Sequence, residues 1–293
     1  MDKSSMIGIE ILRNIGFDFP NGEQEIPTGS EKSADFLISC NGLKVIVEVK
    51  LKTVDKEKQL RREETLNSGN IYIDESEKYI NNSINTIVRE SNKQLRKSSE
   101  NIPSDFNILL FIGTGYNSHI NTEQLKNLLY GKVDVVAFPE KRLFPCYSYN
   151  HSDFLRRESI DCVIIAEIKN YTEEVNIENF NINNFEIYFC LNPYSERYSK
   201  IKECDFIRNN FSRVIDIKLE IDNGNAFILE DSDWEKIKES GQEYEKIEEF
   251  GIVRMSKRVQ VLSEKYRKNL IPFTGSKIPP IFTMRILQNS KQA

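Results

Sequence analysis

The stretch SADFLISCNGLKVIVEVKLK, residues 33–52, constrains the fold of this chain more than any other feature. Two apolar runs, 34–40 and 43–52, flank the dipeptide Asn41-Gly42. Asn-Gly between β-forming runs is the strongest short-range signal for a hairpin, because both residues tolerate the positive φ that a tight turn requires. The sequence therefore predicts an antiparallel hairpin over residues 34–52.

Three charged residues interrupt the apolar pattern of this hairpin. Asp35 comes at the start of the first run, and Glu48 and Lys50 come near the end of the second. Residues i and i+2 of a strand share a face, so Glu48 and Lys50 are expected to project together. The turn brings Asp35 near them, provided that the strands bend or bulge. Either the three residues are charges on a solvent face, or they meet at one edge of a sheet and do chemistry.

The chemistry of such a trio favours a divalent cation. Mg²⁺ prefers a few carboxylate oxygens, water and substrate phosphate, and Asp35 and Glu48 would supply the carboxylates. Mn²⁺ is the expected substitute. A lysine at this position, here Lys50, orients a water molecule or stabilises developing negative charge.

The segments around the hairpin predict further elements. The run MIGIEILRNI, residues 6–15, is apolar on nearly every side, so we expect a largely buried helix in which Glu10 is the only acid. Residues 54–70 are highly charged and are compatible with a strand extension, a loop or a short helix. A second helix is predicted over 76–97, because apolar residues recur on one face at helical spacing: Ile80, Ile84, Ile87, Val88 and Leu95.

The rest of the chain alternates between strand and helix patterns. We expect buried strands over 106–112, 133–138 and 160–168, and a helix around Leu125–Leu129. This alternation predicts an α/β fold, with a mixed central sheet flanked by helices.

Beyond residue 170 the pattern weakens. Residues 171–195 are expected to be a linker. We expect two regions in the chain, a domain over 1–195 and a C-terminal α+β extension over 196–293. Within the extension we expect a second hairpin over 213–230, turning at Asp222-Asn223-Gly224. A charged helical pattern from Trp234 to Lys268 and an irregular proline-containing tail follow.

The hairpin and its neighbours resemble the PD-(D/E)XK nuclease superfamily, which has the restriction-endonuclease-like fold. The resemblance rests on Ala34-Asp35-Phe36 and Glu48-Val49-Lys50, together with an upstream helix bearing the acid Glu10. It covers residues 6–112, extends at its widest to residue 170, and departs from the family pattern in having Ala34 in place of proline. It implies that Asp35, Glu48, Glu10 and the Val49 carbonyl hold the metal ion and that Lys50 acts on the attacking water.

The predicted helix over 76–97 adds two features. Gln94 falls at the border of its apolar face, where many relatives carry a Lys or Gln that reaches the active centre; the alternative is a glutamine that faces solvent. A basic stripe, which consists of Arg89, Lys93, Arg96 and Lys97, falls on the opposite side. Such a stripe contacts phosphates or is simply solvated, and both possibilities stay open.

Composition sets limits on where the protein acts. The chain of 293 residues has a net charge of −5, which argues against a nucleic-acid coat protein but not against an enzyme with one positive groove. No run of eighteen apolar residues predicts a membrane span, and the N-terminus does not resemble a signal peptide. The five scattered cysteines are expected to be reduced, buried thiols. We therefore expect a cytoplasmic protein without membrane contact.

Two other patterns in the sequence give weaker indications of function. Gly113-Thr114-Gly115 follows a strand but lacks the spacing of a nucleotide-binding loop. Asp161 and Glu167 lie on one predicted strand and are expected to be strand-end charges.

The sequence thus predicts an Mg²⁺-dependent endonuclease that acts on DNA, with a role in restriction or phage defence as a family-level expectation. The region over 196–293 is expected to recognise substrate, form a homodimer or bind a partner protein. The alternative is a nuclease-like fold that serves as a non-catalytic nucleic-acid-binding or protein-assembly module.

Overall fold

The computed structural model describes residues 1–20, 26, 33–74, 82–138, 140–169, 175, 177–233, 259–272 and 281–283. The α-helices are α1 Lys3–Asn14, α2 Lys56–Asn67, α3 Asn82–Asn101, α4 Ser118–Tyr130, α5 Asp153–Arg156, α6 Tyr198–Lys202, α7 Asp205–Asn210 and α8 Ile217–Asp222. A further helix covers 259–266. The strands are β1 Phe36–Cys40, β2 Leu43–Lys52, β3 Tyr72–Asp74, β4 Phe106–Gly113, β5 Lys132–Phe138, β6 Arg142–Ser148, β7 Cys162–Ile168, β8 Phe185–Leu191, β9 Val214–Ile215, β10 Phe227–Leu229, β11 Asn269–Pro272 and β12 Ile281–Thr283.

The largest sheet has six strands in the order β1-β2-β4-β7-β8-β9. Strands β2, β4 and β7 are parallel, whereas β1 and β8 run antiparallel to their neighbours in this group. Central strands β4 and β7 are buried along their whole length, as expected for strands covered on both faces. The chain is therefore an α/β protein with a mixed sheet flanked by helices, as predicted.

Alternation along β2 divides the sheet into two faces. Val45, Val47 and Val49 belong to the apolar core that contains α1, whereas Ile46 belongs to the core that contains α3 and α4. Glu48 and Lys50 follow Ile46 at even spacing and therefore lie on the α3 face. Helix α1 approaches the opposite face so closely that a Cβ on Gly8 would lie 2.8 Å from Val49 Cγ1.

The N-terminal elements agree with the sequence patterns. Helix α1 is buried as expected, and the segment over 54–70 forms helix α2, the third of the alternatives left open. Helix α3 buries Ile84, Val88 and Leu95, and Ile87 packs against the same core. The expected start of this helix at residue 76, and Ile80 with it, lies outside the described residues.

The segment over 171–195 is not simply a linker, because it contains strand β8. Seven residues, FEIYFCL, pair with β7 in register from Phe185 to Leu191. The error has a reason in the sequence: the run FEIYFCL carries the acid Glu186 and follows a segment rich in Asn and Glu, so the composition of the whole stretch is typical of a linker.

The hairpin expected over 213–230 is also wrong. Asp216 caps helix α8 by accepting hydrogen bonds from the backbone N–H groups of Lys218 and Leu219. The alternating pattern of IDIKLEID imitates a strand, but the N-cap and the pairing of Ile217 with Ile221 at i,i+4 favour a helix. The flanking strands β9 and β10 join different sheets.

Residues beyond 195 are built into sheets that begin earlier in the chain. Strand β9 extends the six-stranded sheet, and β10 and β11 are the edges of a four-stranded sheet with the order β10-β6-β5-β11. Strand β12 pairs with β3. This packing gives no support to a boundary at residue 195. The tail is also less irregular than expected, because β11 and β12 lie in it; the span 234–258 of the expected charged helix is outside the described part.

Two further expectations concern the whole chain. All five cysteines are free thiols, and four of them are buried. Among the described residues, no helix is both long enough and apolar enough to cross a membrane.

Candidate active site at the end of the hairpin

The hairpin register places Asp35 opposite Glu48. Asn41 and Gly42 both adopt positive φ, 48° and 80°, and the ladder runs without a break from Cys40↔Leu43 to Phe36↔Val47. One further step along this register pairs Asp35 with Glu48. The turn fixes the register that sets the two acids opposite each other, and the chain bends at Asp35, where the ladder ends, as the prediction from the sequence required.

The position of this pair in the ladder matters as well. Pairs in an antiparallel ladder alternate between hydrogen-bonded and non-hydrogen-bonded, and Cys40–Leu43, which closes the turn, is of the first kind. Counting from it makes Asp35–Glu48 a non-hydrogen-bonded pair. Side chains approach each other most closely in such pairs.

Glu48 is a carboxylate in an apolar setting. It is 0 % exposed. Burial, and after it the adjacent Asp35 carboxylate, raise the pKa of Glu48 to about 8, while Lys50 acts in the opposite direction. Apart from its ion pair with Lys50, neither Glu48 oxygen accepts a hydrogen bond within the described part of the chain. Two neighbouring carboxylates repel each other when both are ionised, and the buried one has no solvent to stabilise its charge. A cation beside them would stabilise both ionised groups.

Asp35 is oriented by the backbone of the neighbouring strand. Its Oδ2 accepts the N–H of Val49 at 2.7 Å. Val49 is the middle residue of Glu48-Val49-Lys50. This hydrogen bond therefore holds the Asp35 carboxylate next to the Glu48-Val49-Lys50 segment.

Helix α3 contributes Gln94 to the same cluster. Lys50 Nζ donates to Gln94 Oε1 at 3.2 Å, and Gln94 Nε2 donates to the carbonyl of Ser33 at 3.1 Å. Gln94 thus links the lysine to the backbone just before Asp35. The structure places Gln94 in the cluster and not in solvent.

Glu10 is not brought to the carboxylate pair. Helix α1 packs on the Val49 face of the sheet through Gly8, whereas Glu48 and Lys50 lie on the other face. Glu10 follows Gly8 by two residues, about 200° around the helix, and so points away from the sheet. It forms an ion pair with Arg13 at 3.6 Å. The expected role of Glu10 as a metal ligand has no geometric support, because its helix packs on the face of the sheet opposite Glu48 and Lys50 and its half-buried side chain pairs with Arg13.

A cleft of 590 Å³ extends from Lys50 and Gln94 along helix α3. Three of the four residues in the basic stripe line it: Lys93, Arg96 and Lys97. Arg89, the fourth, is exposed and pairs with Glu90 at 3.2 Å. The basic stripe faces away from the core, as expected. Three of its four residues line the same cleft as Lys50.

The residues present fit a hard divalent cation. In the described residues no group of three or more His, Cys, Asp or Glu side chains gathers, and the acids near Lys50 are the pair Asp35 and Glu48. Mg²⁺ commonly uses only one or two carboxylates and keeps several waters. The buried, unsatisfied oxygens of Glu48 beside Asp35 are therefore a suitable donor set.

One residue of this region, Ser98, was not expected from the sequence. Its Oγ accepts the backbone N–H of Ala34 at 2.8 Å, and its side chain is buried. The available signal was its spacing: Ser98 follows Gln94 by four residues, on the same face of a helix.

The second acid pair considered from the sequence is not a comparable site. Asp161 lies at the start of β7 and accepts hydrogen bonds from Ser195 at 2.6 Å and Arg197 at 2.9 Å. Glu167 lies near the other end of that strand and contacts His119 Nδ1 at 3.0 Å. Both are strand-end charges with partners, as expected.

Comparisons with protein-family models, with curated proteins and with solved structures found no match to this chain. Any statement about its function therefore rests on the geometry of the hairpin and helix α3.

Proposed function

We propose that this chain is an Mg²⁺-dependent nuclease that hydrolyses phosphodiester bonds of DNA, built on the PD-(D/E)XK plan. One observation carries the proposal: Asp35 and Glu48 face each other across the hairpin, and Lys50 pairs with the buried Glu48. A solvent-face charge does not explain this arrangement, because Glu48 is buried and its pKa rises to about 8, so ionising it destabilises the fold. Acids held at such a cost are typical of functional sites.

In this proposal Asp35 and Glu48 hold the ion, with the Val49 carbonyl as a further donor. The bound ion would supply Lewis-acid stabilisation of charge on the phosphate and lower the pKa of a water molecule. Lys50 occupies the position next to Glu48 from which a cation orients the attacking water and stabilises negative charge. Gln94 restricts the lysine to this position through the hydrogen bond to its Nζ.

The cleft along α3 supports a polyanionic substrate. Four cations and two acids line one cleft, so its lining has an excess of positive charge although the chain as a whole carries a net charge of −5. The cations are Lys50, Lys93, Arg96 and Lys97, and the acids are Glu90 and Glu100. A local positive groove on an acidic protein attracts phosphates where they are needed and leaves the rest of the surface repulsive to nucleic acid. A role in restriction or phage defence, a cytoplasmic location, and a homodimer or partner protein remain proposals of the family resemblance alone.

The test is a cleavage panel. The protein is incubated with plasmid, linear and single-stranded DNA and with RNA, in Mg²⁺, in Mn²⁺ and in EDTA. Cleavage of DNA with either ion and none in EDTA is the expected result. Glu48→Ala should abolish cleavage and Mn²⁺ binding.

Lys44→Met provides the matched control for a change at Lys50. Lys44 lies on the same strand and, by alternation, on the same face, but it is exposed at the far end. Cleavage should persist in Lys44→Met and disappear in Lys50→Met. DNA binding without cleavage under any condition would instead support the non-catalytic module.

A further inference from the structure

The ladder between β1 and β2 ends at a defined place. If the pairing continued beyond Asp35–Glu48, Ala34 and Val49 would form the next hydrogen-bonded pair, exchanging both N–H···O bonds. Neither N–H does so. Val49 N–H donates to Asp35 Oδ2 at 2.7 Å, and Ala34 N–H donates to Ser98 Oγ at 2.8 Å. Two side-chain oxygens replace two backbone carbonyls, and the strands separate at this pair.

This separation affects the Val49 carbonyl. The N–H and C=O of one strand residue point to the same side, and Val49 N–H points toward the β1 side of β2. The carbonyl therefore also points to that side, and the ladder partner that it would meet there, Ala34 N–H, is bonded to Ser98.

Helix α3 holds the end of the first strand at two points. Gln94 Nε2 donates to the Ser33 carbonyl at 3.1 Å, and one turn later Ser98 accepts from Ala34. Both contacts draw residues 33–34 toward the helix and away from β2. Gln94 also contacts Lys50, whereas the Ser98 side chain has one hydrogen bond that the structure describes, the one from the Ala34 N–H.

We infer that Ser98 is a positioning residue for the candidate site: by taking the Ala34 N–H, it keeps the hairpin open at its last pair and leaves the Val49 carbonyl directed at the carboxylate pair as a donor for the cation. This inference rests on the proposed function for the identity of the ligand, but the strand separation does not depend on it. Without Ser98 the freed Ala34 N–H closes the pair with Val49, because a buried N–H is stabilised by finding an acceptor.

The experiment compares Ser98→Ala with Ser91→Ala in the full chain. Ser91 is the matched control: it lies on the same helix and is 0 % exposed, and its Oγ has no hydrogen-bond partner within the described residues. Two quantities are measured for each protein: the Ala34 N to Val49 O distance in a metal-free crystal structure, and the Mn²⁺ affinity by calorimetry at fixed pH.

In Ser98→Ala we expect the Ala34 N to Val49 O distance to fall to hydrogen-bond length and the Mn²⁺ affinity to drop roughly tenfold, the scale typical of losing a group that orients a metal ligand. Wild type and Ser91→Ala should keep the open pair and the full affinity.

An open pair in Ser98→Ala would overturn the inference, and so would a closed pair with unchanged Mn²⁺ affinity. Wild-type protein that binds no Mn²⁺ would overturn the proposed function instead. The Ala34 N to Val49 O distance would then be the sole test of whether Ser98 keeps the hairpin open.

Discussion

Replacing Glu48 by glutamine should stabilise the metal-free protein at alkaline pH. Gln keeps the size and shape of the side chain but cannot ionise. Burial and Asp35 raise the pKa of Glu48 from 4.5 to about 8, so the folded protein binds this proton more tightly than the unfolded chain does. The contribution of Glu48 to stability is therefore fully present below pH 4.5, falls as the pH rises, and is lost above about pH 8.

The size of the effect follows from the same values. One pKa unit corresponds to about 1.4 kcal/mol, so the interval from 4.5 to about 8 amounts to ~5 kcal/mol between acid and alkaline conditions. We expect Glu48→Gln to exceed wild type by ~3–5 kcal/mol in free energy of unfolding at pH 9, and by about 1 kcal/mol or less at pH 5.

The assay is urea unfolding followed by circular dichroism in chelator-treated buffer at both pH values. Glu10→Gln is the matched control, because it makes the same chemical change on α1, at a half-buried carboxylate that pairs with Arg13 and lies outside the carboxylate pair. Saturating Mn²⁺ should stabilise wild type and not Glu48→Gln, which reduces the difference. Equal stability of Glu48→Gln and wild type at pH 9 would refute the argument that Glu48 is held buried at an energetic disadvantage.

Four further predictions concern the proposed activity. Lys50→Met should lower DNA cleavage by at least about 100-fold, on the scale of losing one electrostatic stabiliser, and keep or strengthen Mn²⁺ binding by calorimetry; full activity in a folded variant would assign Lys50 to the solvent face. Mn²⁺ affinity should fall about tenfold for each pH unit below 8, because the ion displaces the Glu48 proton, and a pH-independent affinity between pH 6 and 8 would contradict this. The double variant Lys93→Ala/Arg96→Ala should weaken DNA binding and flatten its salt dependence, measured by fluorescence anisotropy; an unchanged slope would mean that the cleft is merely solvated. Glu10→Gln should cleave plasmid at the wild-type rate; a large fall in the cleavage rate would show that Glu10 contributes to the active site.

The local parts of the structure could be predicted from the sequence. Asn41-Gly42 fixes a two-residue turn, the turn fixes the register, and the register sets Asp35 opposite Glu48, all within one stretch of twenty residues. The same local logic identified most of the strands and the amphipathic helix α3. It failed at β8, whose run follows a segment rich in Asn and Glu, and at α8, where alternation imitated a strand.

What only the tertiary structure decided is the environment of the hairpin. Helix α3 supplies Gln94 and Ser98, which lie more than forty residues beyond the hairpin in sequence, and the packing of the sheet buries Glu48 away from water. The placement of α1 on the other face gives Glu10 no geometric support as a ligand, although the sequence puts an acid where the family pattern has one. A turn determines register because its few dihedral angles are set by neighbouring residues, whereas burial and contacts between distant segments depend on how whole layers pack.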